Sequence, residues 1–469
     1  MDYKSLNHIQ GKNGSRWTQF IRGIGTENLL MVAIDAAKYT HKALISTFYG
    51  EVLVKPFEFD ASTPGLELIK QKIKAEKDRY NMIEVVVGIE TTGHYYEDLV
   101  LHCQLEGFHV RTINAATTAE ERRALLNWSK TDNLDLLAIL QSMIHGRGTF
   151  NELPTGKVHN LQKLTRARRE LVNERSAIKN LILVHMDHIF REFQGKTVWI
   201  DGKKEKIKPL SDNFGKASRY LMRYYPHPSD ILELGEQGLR DLSVRENLKL
   251  RDSCIQCLLE FAKESISKPK EKVETDIFLL AQRLDQLDFL TEQIKVLERK
   301  IEDLFVQTEG GLLLSVPGIG VVTGAEFFAE MGDISDYCHA GQLIKMAGTN
   351  PIVKQSGDRR PSYFAISKQG RKQFRNITYH VGKSLAINNP KMNQKYHELI
   401  DRGKKSGQAY IALGNRMIRL AFSMIRNQTL YQTDEEKYVL YDEVNKKLHK
   451  VNVEHFFENF VVSPVSHPA

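Results

Sequence analysis

Four acidic side chains stand where metal-assisted phosphoryl transfer would use them. Asp35 ends the apolar run Leu29-Leu30-Met31-Val32-Ala33-Ile34, and Glu90 ends a second, Val85-Val86-Val87-Gly88-Ile89. Asp132 and Asp135 follow in Lys130-Thr131-Asp132-Asn133-Leu134-Asp135-Leu136-Leu137. Runs rich in Val and Ile read as buried strands, and an acid closing such a strand has few structural reasons to be there. Asp132 and Asp135, at i and i+3, share one helix face. Acids gathered in this way repel unless cations neutralise them, and hard oxygen ligands suit Mg²⁺ or Mn²⁺. A pair of such ions about 3.5–4 Å apart can activate the attacking oxygen and stabilise the leaving one.

The elements that must hold these acids can be read from the surrounding pattern. Residues 1–27 are polar and are expected to be a flexible arm. Strands are expected near 29–35, 42–49, 51–59, 83–90 and 108–112, and helices near 64–77, 94–105, 117–126 and 132–145. The first three strands follow closely, split by Gly50-Glu51, which predicts hairpins. Later strands alternate with helices, as in an α/β sheet. Three antiparallel strands followed by parallel α/β units is also the order of the RNase H-like fold. His94, just after Glu90, could touch a phosphate or water, or simply pack at a helix start.

From about residue 155 the pattern changes to long helices. Arg166, Arg168, Arg169, Arg175 and Lys179 interleave with Leu161, Leu164, Leu171 and Ile178, which predicts an amphipathic helix with a basic outer surface. Residues 195–210 hold Lys203, Lys204, Lys206 and Lys208 and read as a loop or small insertion. Ser267-Lys268-Pro269-Lys270 marks a break. Leu287, Leu290, Ile294, Leu297, Ile301 and Leu304 then follow heptad spacing, for helix packing within the chain or between subunits.

In the C-terminal part, Val316-Pro317-Gly318-Ile319-Gly320 resembles a helix-hairpin-helix turn. Gly318 and Gly320 would let the backbone approach a phosphate; a plain interhelical turn is the alternative. Ser356 lies beside Gly357 among Lys354, Arg359, Arg360, Lys368, Arg371, Lys372 and Arg375. Those cations could bind phosphate and stabilise a charged transition state.

Bulk properties agree with a nucleic-acid partner. The 469 residues are 41% hydrophobic and 26% charged, enough for two or three domains. The net charge of +8 favours a polyanion. Cys103, Cys254, Cys257 and Cys338 are the only cysteines, which suggests no disulfide framework and fits a reducing cytosol. Cys254-Ile255-Gln256-Cys257 has zinc-like spacing without a second ligand pair, so core packing is expected. There is no leader pattern and no apolar stretch of about 18 residues, so no membrane span is expected and the chain reads as cytoplasmic.

Taken together, these segments resemble the transposases of the insertion sequence 110 family, the bridge-RNA-guided recombinases, and the related Piv-type DNA invertases. The matching pieces are Ala33-Ile34-Asp35, Gly88-Ile89-Glu90-Thr91-Thr92-Gly93-His94-Tyr95 and Lys130-Thr131-Asp132 with Asp135. Further along come Val316 to Gly320, Ala347-Gly348 through Pro351, Ser356-Gly357 and Ser367-Lys368-Gln369-Gly370. Tyr396, Arg402-Gly403-Lys404-Lys405 and Ala412 through Arg419 also fit.

The resemblance implies an RNase H-like, Holliday-junction-resolvase-like catalytic domain over 28–150, with Asp35, Glu90, Asp132 and Asp135 as a metal-binding tetrad. It implies a helical, coiled-coil middle with an insertion over 151–309, a mainly α transposase domain over 310–430 and a tail over 431–469. Ser356 would be the nucleophile, with Ser367 in reserve. The implied partners are donor and target DNA, a structured bridge RNA, and further copies of the chain, dimer to tetramer. A metal-dependent Holliday-junction nuclease and a non-catalytic nucleic-acid-binding protein on a nuclease scaffold are the alternatives.

Overall fold

A computed structural model describes residues 11–91, 93–124, 131–150, 156–200, 203–354 and 362–431. The first elements are α1 (Gly11–Ile24), β1 (Leu29–Asp35), β2 (Thr40–Thr47), β3 (Val52–Asp60) and α2 (Thr63–Arg79). They continue with β4 (Glu84–Glu90), α3 (Tyr96–Leu105), β5 (His109–Ile113), α4 (Ala115–Ala124) and α5 (Asp132–Ile144). The five strands form one mixed sheet in the order β3-β2-β1-β4-β5. Antiparallel hairpins join β1, β2 and β3, whereas β1, β4 and β5 run parallel.

Both sheet faces are covered, which is why β1 is apolar up to Asp35 and β4 is apolar between Glu84 and Glu90. On one face Leu30, Val32, Ile34 and Val87 pack with Ile69 of α2 and Leu99 of α3. On the other, Leu29, Met31, Ala33 and Val86 pack with Leu136 and Ile139 of α5. Gly88 permits that closeness, because a Cβ there would lie 2.2 Å from Met143 Sδ.

The expected flexible arm is corrected over residues 11–24, which form α1. Trp17 is 3% exposed and belongs to the core, with Phe20, Ile21 and Ile24 packed against it. Those four positions are spaced i, i+3, i+4 and i+7, one face of a helix. Beneath them lies Arg111, fully buried, donating to the carbonyls of Gly146 (3.0 Å), Arg147 (2.8 Å) and Gly148 (2.8 Å). Its guanidinium is 4.5 Å from the Trp17 ring centre and 4.4 Å from that of Phe150. Burial lowers its pKa to about 10, so it stays cationic at neutral pH.

The middle comprises α6 (Gly156–Ile189), β6 (Lys196–Ile200), β7 (Lys203–Ile207), α7 (Lys216–Tyr224), α8 (Pro228–Arg245), α9 (Asp252–Glu264) and α10 (Glu274–Phe305). The break at 267–270 separates α9 from α10. Alternate heptad positions Leu287, Ile294 and Ile301 are buried, and Leu290, Leu297 and Leu304 are half-buried. Cys254 and Cys257 are free thiols packed against the apolar core of this region. Two expectations are corrected here. Residues 195–210 contain a β-hairpin, β6 against β7, rather than a loop. The cationic face of α6 is largely an ion-pair seam: Arg166 binds Glu330 (2.6 and 3.0 Å), Arg168 binds Glu298 (2.6 Å) and Arg169 binds Glu326 (2.7 Å). Glu330 and Glu326 are buried, so these arginines compensate internal acids.

The C-terminal part holds α11 (Val321–Met331), α12 (Ala340–Ala347), β8 (Pro351–Lys354), β9 (Ser362–Ile366), α13 (Lys372–Asn388), α14 (Pro390–Asp401) and α15 (Ser406–Asn427). A Cβ on Gly382 would lie 1.9 Å from the Tyr410 carbonyl, so α13 and α15 meet backbone to backbone. The helix-hairpin-helix expectation is met only on its second side: α11 follows Gly320, but a 3-10 segment, Glu309–Ser315, precedes the turn. Leu312, Leu313 and Leu314 in that segment are fully buried, and Gly318 adopts φ +94°.

The chain divides into two compact units, Met1–Asn160 with Met331–Thr429 and Leu161–Glu330 with Leu430–Ala469. Among the described residues, no helix is long and apolar enough to cross a membrane.

Candidate active site

Strand register brings the first two acids together. Parallel pairing sets Ile34 opposite Ile89, so Asp35 and Glu90 follow at adjacent strand ends. Side chains alternate along a strand, which puts Asp35 in file with Met31 and Ala33, and Glu90 with Val86 and Gly88. Both therefore belong to the sheet face that α5 covers. The first turn of α5 supplies Asp132 and Asp135. The Thr131 side chain accepts the Leu134 N–H (3.4 Å) and starts the helix, whose N-terminal dipole favours acids there.

Each acid has a distinct environment. Glu90 is buried and accepts a hydrogen bond from Thr118 Oγ1 of α4 (3.0 Å). Asp135 is buried against the Arg122 guanidinium of α4. Asp132 is exposed and paired with Lys42 Nζ (2.9 Å). Lys42 stands directly across the hairpin from Asp35, which is half-buried. Hydrogen bonding to Asp132 raises the Lys42 pKa against some desolvation.

These neighbours were missed at the sequence level. Lys42 could be found only from hairpin register, and Thr118 and Arg122 only from the face that α4 turns inward. The four carboxylates suit a hard divalent cation in donor chemistry. In arrangement, Lys42 and Arg122 provide the positive charge: among the described residues, no three His, Cys, Asp or Glu side chains group closely enough to hold a metal.

His94 is exposed near the start of α3, with its ring 4.4 Å from that of Tyr95. Its carbonyl accepts the Glu97 N–H (3.2 Å), as a residue at a helix start does.

The serine region is described in part. Ser356, Arg359 and Arg360 lie in the connection between β8 and β9, outside the described residues. Lys354 ends β8. Ser367 donates from Oγ to Asn350 Oδ1 (2.7 Å) and from its backbone N–H to Asn350 O (2.9 Å), which ties the base of the hairpin. Lys368, Arg371 and Lys372 are exposed. Arg375 instead braces the turn, its Nη1 donating to the carbonyls of Lys368 (3.2 Å) and Ala347 (3.4 Å). Arg371 lies close enough to the Tyr96 phenol to oppose the rise in pKa that burial gives it. Tyr96 opens α3 and packs on the sheet face of Leu30, Val32 and Ile34, opposite the one that carries Asp35 and Glu90.

A DEDD transposase family model of the IS110 type matches residues 32–191, which include all four acids. A model of the transposase IS116/IS110/IS902 family matches residues 310–397, which include Ser356 and its cations. The uncharacterized 44.8 kDa protein of insertion element IS116 from Streptomyces clavuligerus is 24% identical over 86% of this chain and 96% of its own length. The transposase for insertion sequence element IS1328 from Yersinia enterocolitica is 26% identical over 41% of this chain and 62% of its own. The pilin gene-inverting protein of Moraxella bovis is 24% identical over 36% and 54% respectively.

Proposed function

The chain belongs to the IS110 family of transposases, and from that premise we propose that it cuts and rejoins DNA through a phosphoserine intermediate assisted by a divalent metal. One observation carries this reading: Asp35 and Glu90 close adjacent strands on the sheet face that α5 covers, and the first turn of α5 holds Asp132 and Asp135. The strand order β3-β2-β1-β4-β5 supports an RNase H-like identity for that domain.

Asp35, Glu90, Asp132 and Asp135 would hold Mg²⁺ or Mn²⁺, which when bound supplies positive charge to a phosphodiester and its leaving oxygen. Ser356 Oγ would bond to phosphorus as the bond to the 3′ oxygen breaks. The serine gives up its proton, and the departing strand leaves as a 3′-hydroxyl. Attack by a second 3′-hydroxyl reverses these changes, reseals DNA and frees the serine. The phosphoserine conserves the bond energy throughout. Lys354, Arg359, Arg360, Lys368, Arg371 and Lys372 would hold the phosphates. Gly318 and Gly320, which belong to the other compact unit, would offer a phosphate their own backbone approach. Arg375 serves the turn itself.

The remaining parts of the reading follow the family. A structured bridge RNA would pair with donor and target DNA while the protein holds backbone and shape, as in other RNA-guided systems. Association into dimers and tetramers would use α10, where Phe278, Phe289 and Val296 recur at near-whole turns and stay exposed.

The test compares Ser356→Ala with Asp35→Ala in a strand-exchange assay on end-labelled DNA. Both changes should abolish exchange, and Ser356→Ala should remove the covalent protein–DNA adduct. Cleavage that survives Ser356→Ala and fails with Asp35→Ala would mean a metal-dependent nuclease. Unaltered DNA binding with no cleavage by any form, including wild type, would mean a binding protein.

A further inference from the structure

The hairpin of β6 and β7 lies between the two family matches and takes no part in the proposed chemistry. It is small but well registered. Lys196 pairs with Ile207, Thr197 with Lys206, Val198 with Glu205, Trp199 with Lys204 and Ile200 with Lys203. At its base Lys196 binds Glu264 of α9. Gly195 is also required there: its φ is +105°, and a Cβ would lie 2.7 Å from the Ile207 carbonyl.

Directly paired residues share a face. One face therefore carries Thr197, Trp199, Lys204 and Lys206, and the sole acid of the two strands, Glu205, belongs to the other. Trp199 is 68% exposed, and Lys204 Nζ stands 5.2 Å from its ring centre. All five residues of β7 are exposed. Over 196–208 the sequence has five lysines against Asp201 and Glu205. A solvent-exposed indole with one lysine over its ring and another on the same face is a good surface for a flat, negatively charged polymer.

We propose that this face binds unpaired DNA, with a base stacked on Trp199 and neighbouring phosphates held by Lys204 and Lys206. Charge complementarity selects a polyanion. The indole selects a base that is not already stacked in a helix. The lysines can hold phosphates of either form of DNA, so the preference for an unpaired base rests on Trp199. The commitment to DNA rests on the recombinase reading, because strand cutting and exchange expose unpaired DNA.

The experiment uses the full chain without divalent metal, so that no strand is cut. Binding of a fluorescein-labelled unpaired DNA oligonucleotide is followed by anisotropy. Trp199→Ala should weaken it by about 5- to 100-fold, and Trp199→Phe, which keeps a stacking ring, should lose much less. Lys204→Gln with Lys206→Gln should flatten the dependence of log affinity on log salt by about 1.4. The duplex of the same sequence should be bound alike by wild type and Trp199→Ala. The proposal is overturned if Trp199→Ala binds the oligonucleotide as wild type does, or if the duplex loses equally. An unpaired RNA oligonucleotide of the same sequence is titrated in parallel, and a Trp199→Ala effect on that RNA alone overturns the proposal too. Strand cleavage by wild type is measured separately with metal: its absence defeats the recombinase reading while leaving the Trp199 result to decide the hairpin.

Discussion

His41 and Lys42 are neighbours on β2 with different surroundings. Lys42 reaches the carboxylates, whereas His41 is 3% exposed and accepts the Ala37 N–H at Nδ1 (3.2 Å). Burial lowers the His41 pKa from its ordinary 6.5, with Asp98 opposing weakly. The unfolded chain therefore takes up this proton more readily than the folded one. Stability due to His41 is fully present only above the unfolded value's range, and it declines as pH falls below 6.5 towards the folded pKa. His41→Gln should reduce the loss of unfolding free energy between about pH 7.5 and about pH 5.5, read by urea titration. An identical loss in variant and wild type would exclude the histidine as its source. At this scale the acids were legible because a charge that stops an apolar run is a local signal. Lys42, Thr118 and Arg122 were not, since each depends on a partner fixed by register or packing. Ser356 was placed by motif, and its surroundings fall outside the described residues.

Among the elements, α6 shows how a correct helix can carry a wrong surface. Its periodicity announced the helix, but the acids that meet its arginines lie 130 or more residues away in sequence. Glu326 is buried, and that burial raises its pKa while Arg169 lowers it. Arg169→Ala would leave this carboxylate without its partner, at a cost of about 3–5 kcal/mol. Arg169→Met with Glu326→Leu removes both charges and should cost much less, in the same denaturant titration. Equal losses would show that volume rather than charge governs the site. The β6–β7 hairpin escaped because its lysines mask the alternation that marks a strand. By contrast, β1 and β4 were legible almost to the residue, because two covered faces demand continuous apolar sequence.

For the whole molecule, the heptad on α10 reports two surfaces. Leu287, Ile294 and Ile301 turn inward, as the spacing predicts. Phe278, Phe289 and Val296 form a second stripe that solvent reaches, with Phe289 65% exposed. Exposed aromatic residues in register on a long helix suit a second copy of the chain. Phe289→Glu should lower the assembly mass in sedimentation while leaving the helical circular dichroism intact. No change in mass would remove this stripe from the interface.

The caged guanidinium of Arg111 carries a practical consequence. Trp17 and Phe150, from segments that precede and follow the sheet, pack on adjacent sides of it, so the enclosure is completed by sequence upstream of the first motif. A gene fragment begun at residue 28, where the recognisable pattern starts, would omit that roof. It would bare the apolar floor under α1 and take the Trp17 ring away from the Arg111 guanidinium, so fragments for expression should begin before Gly11.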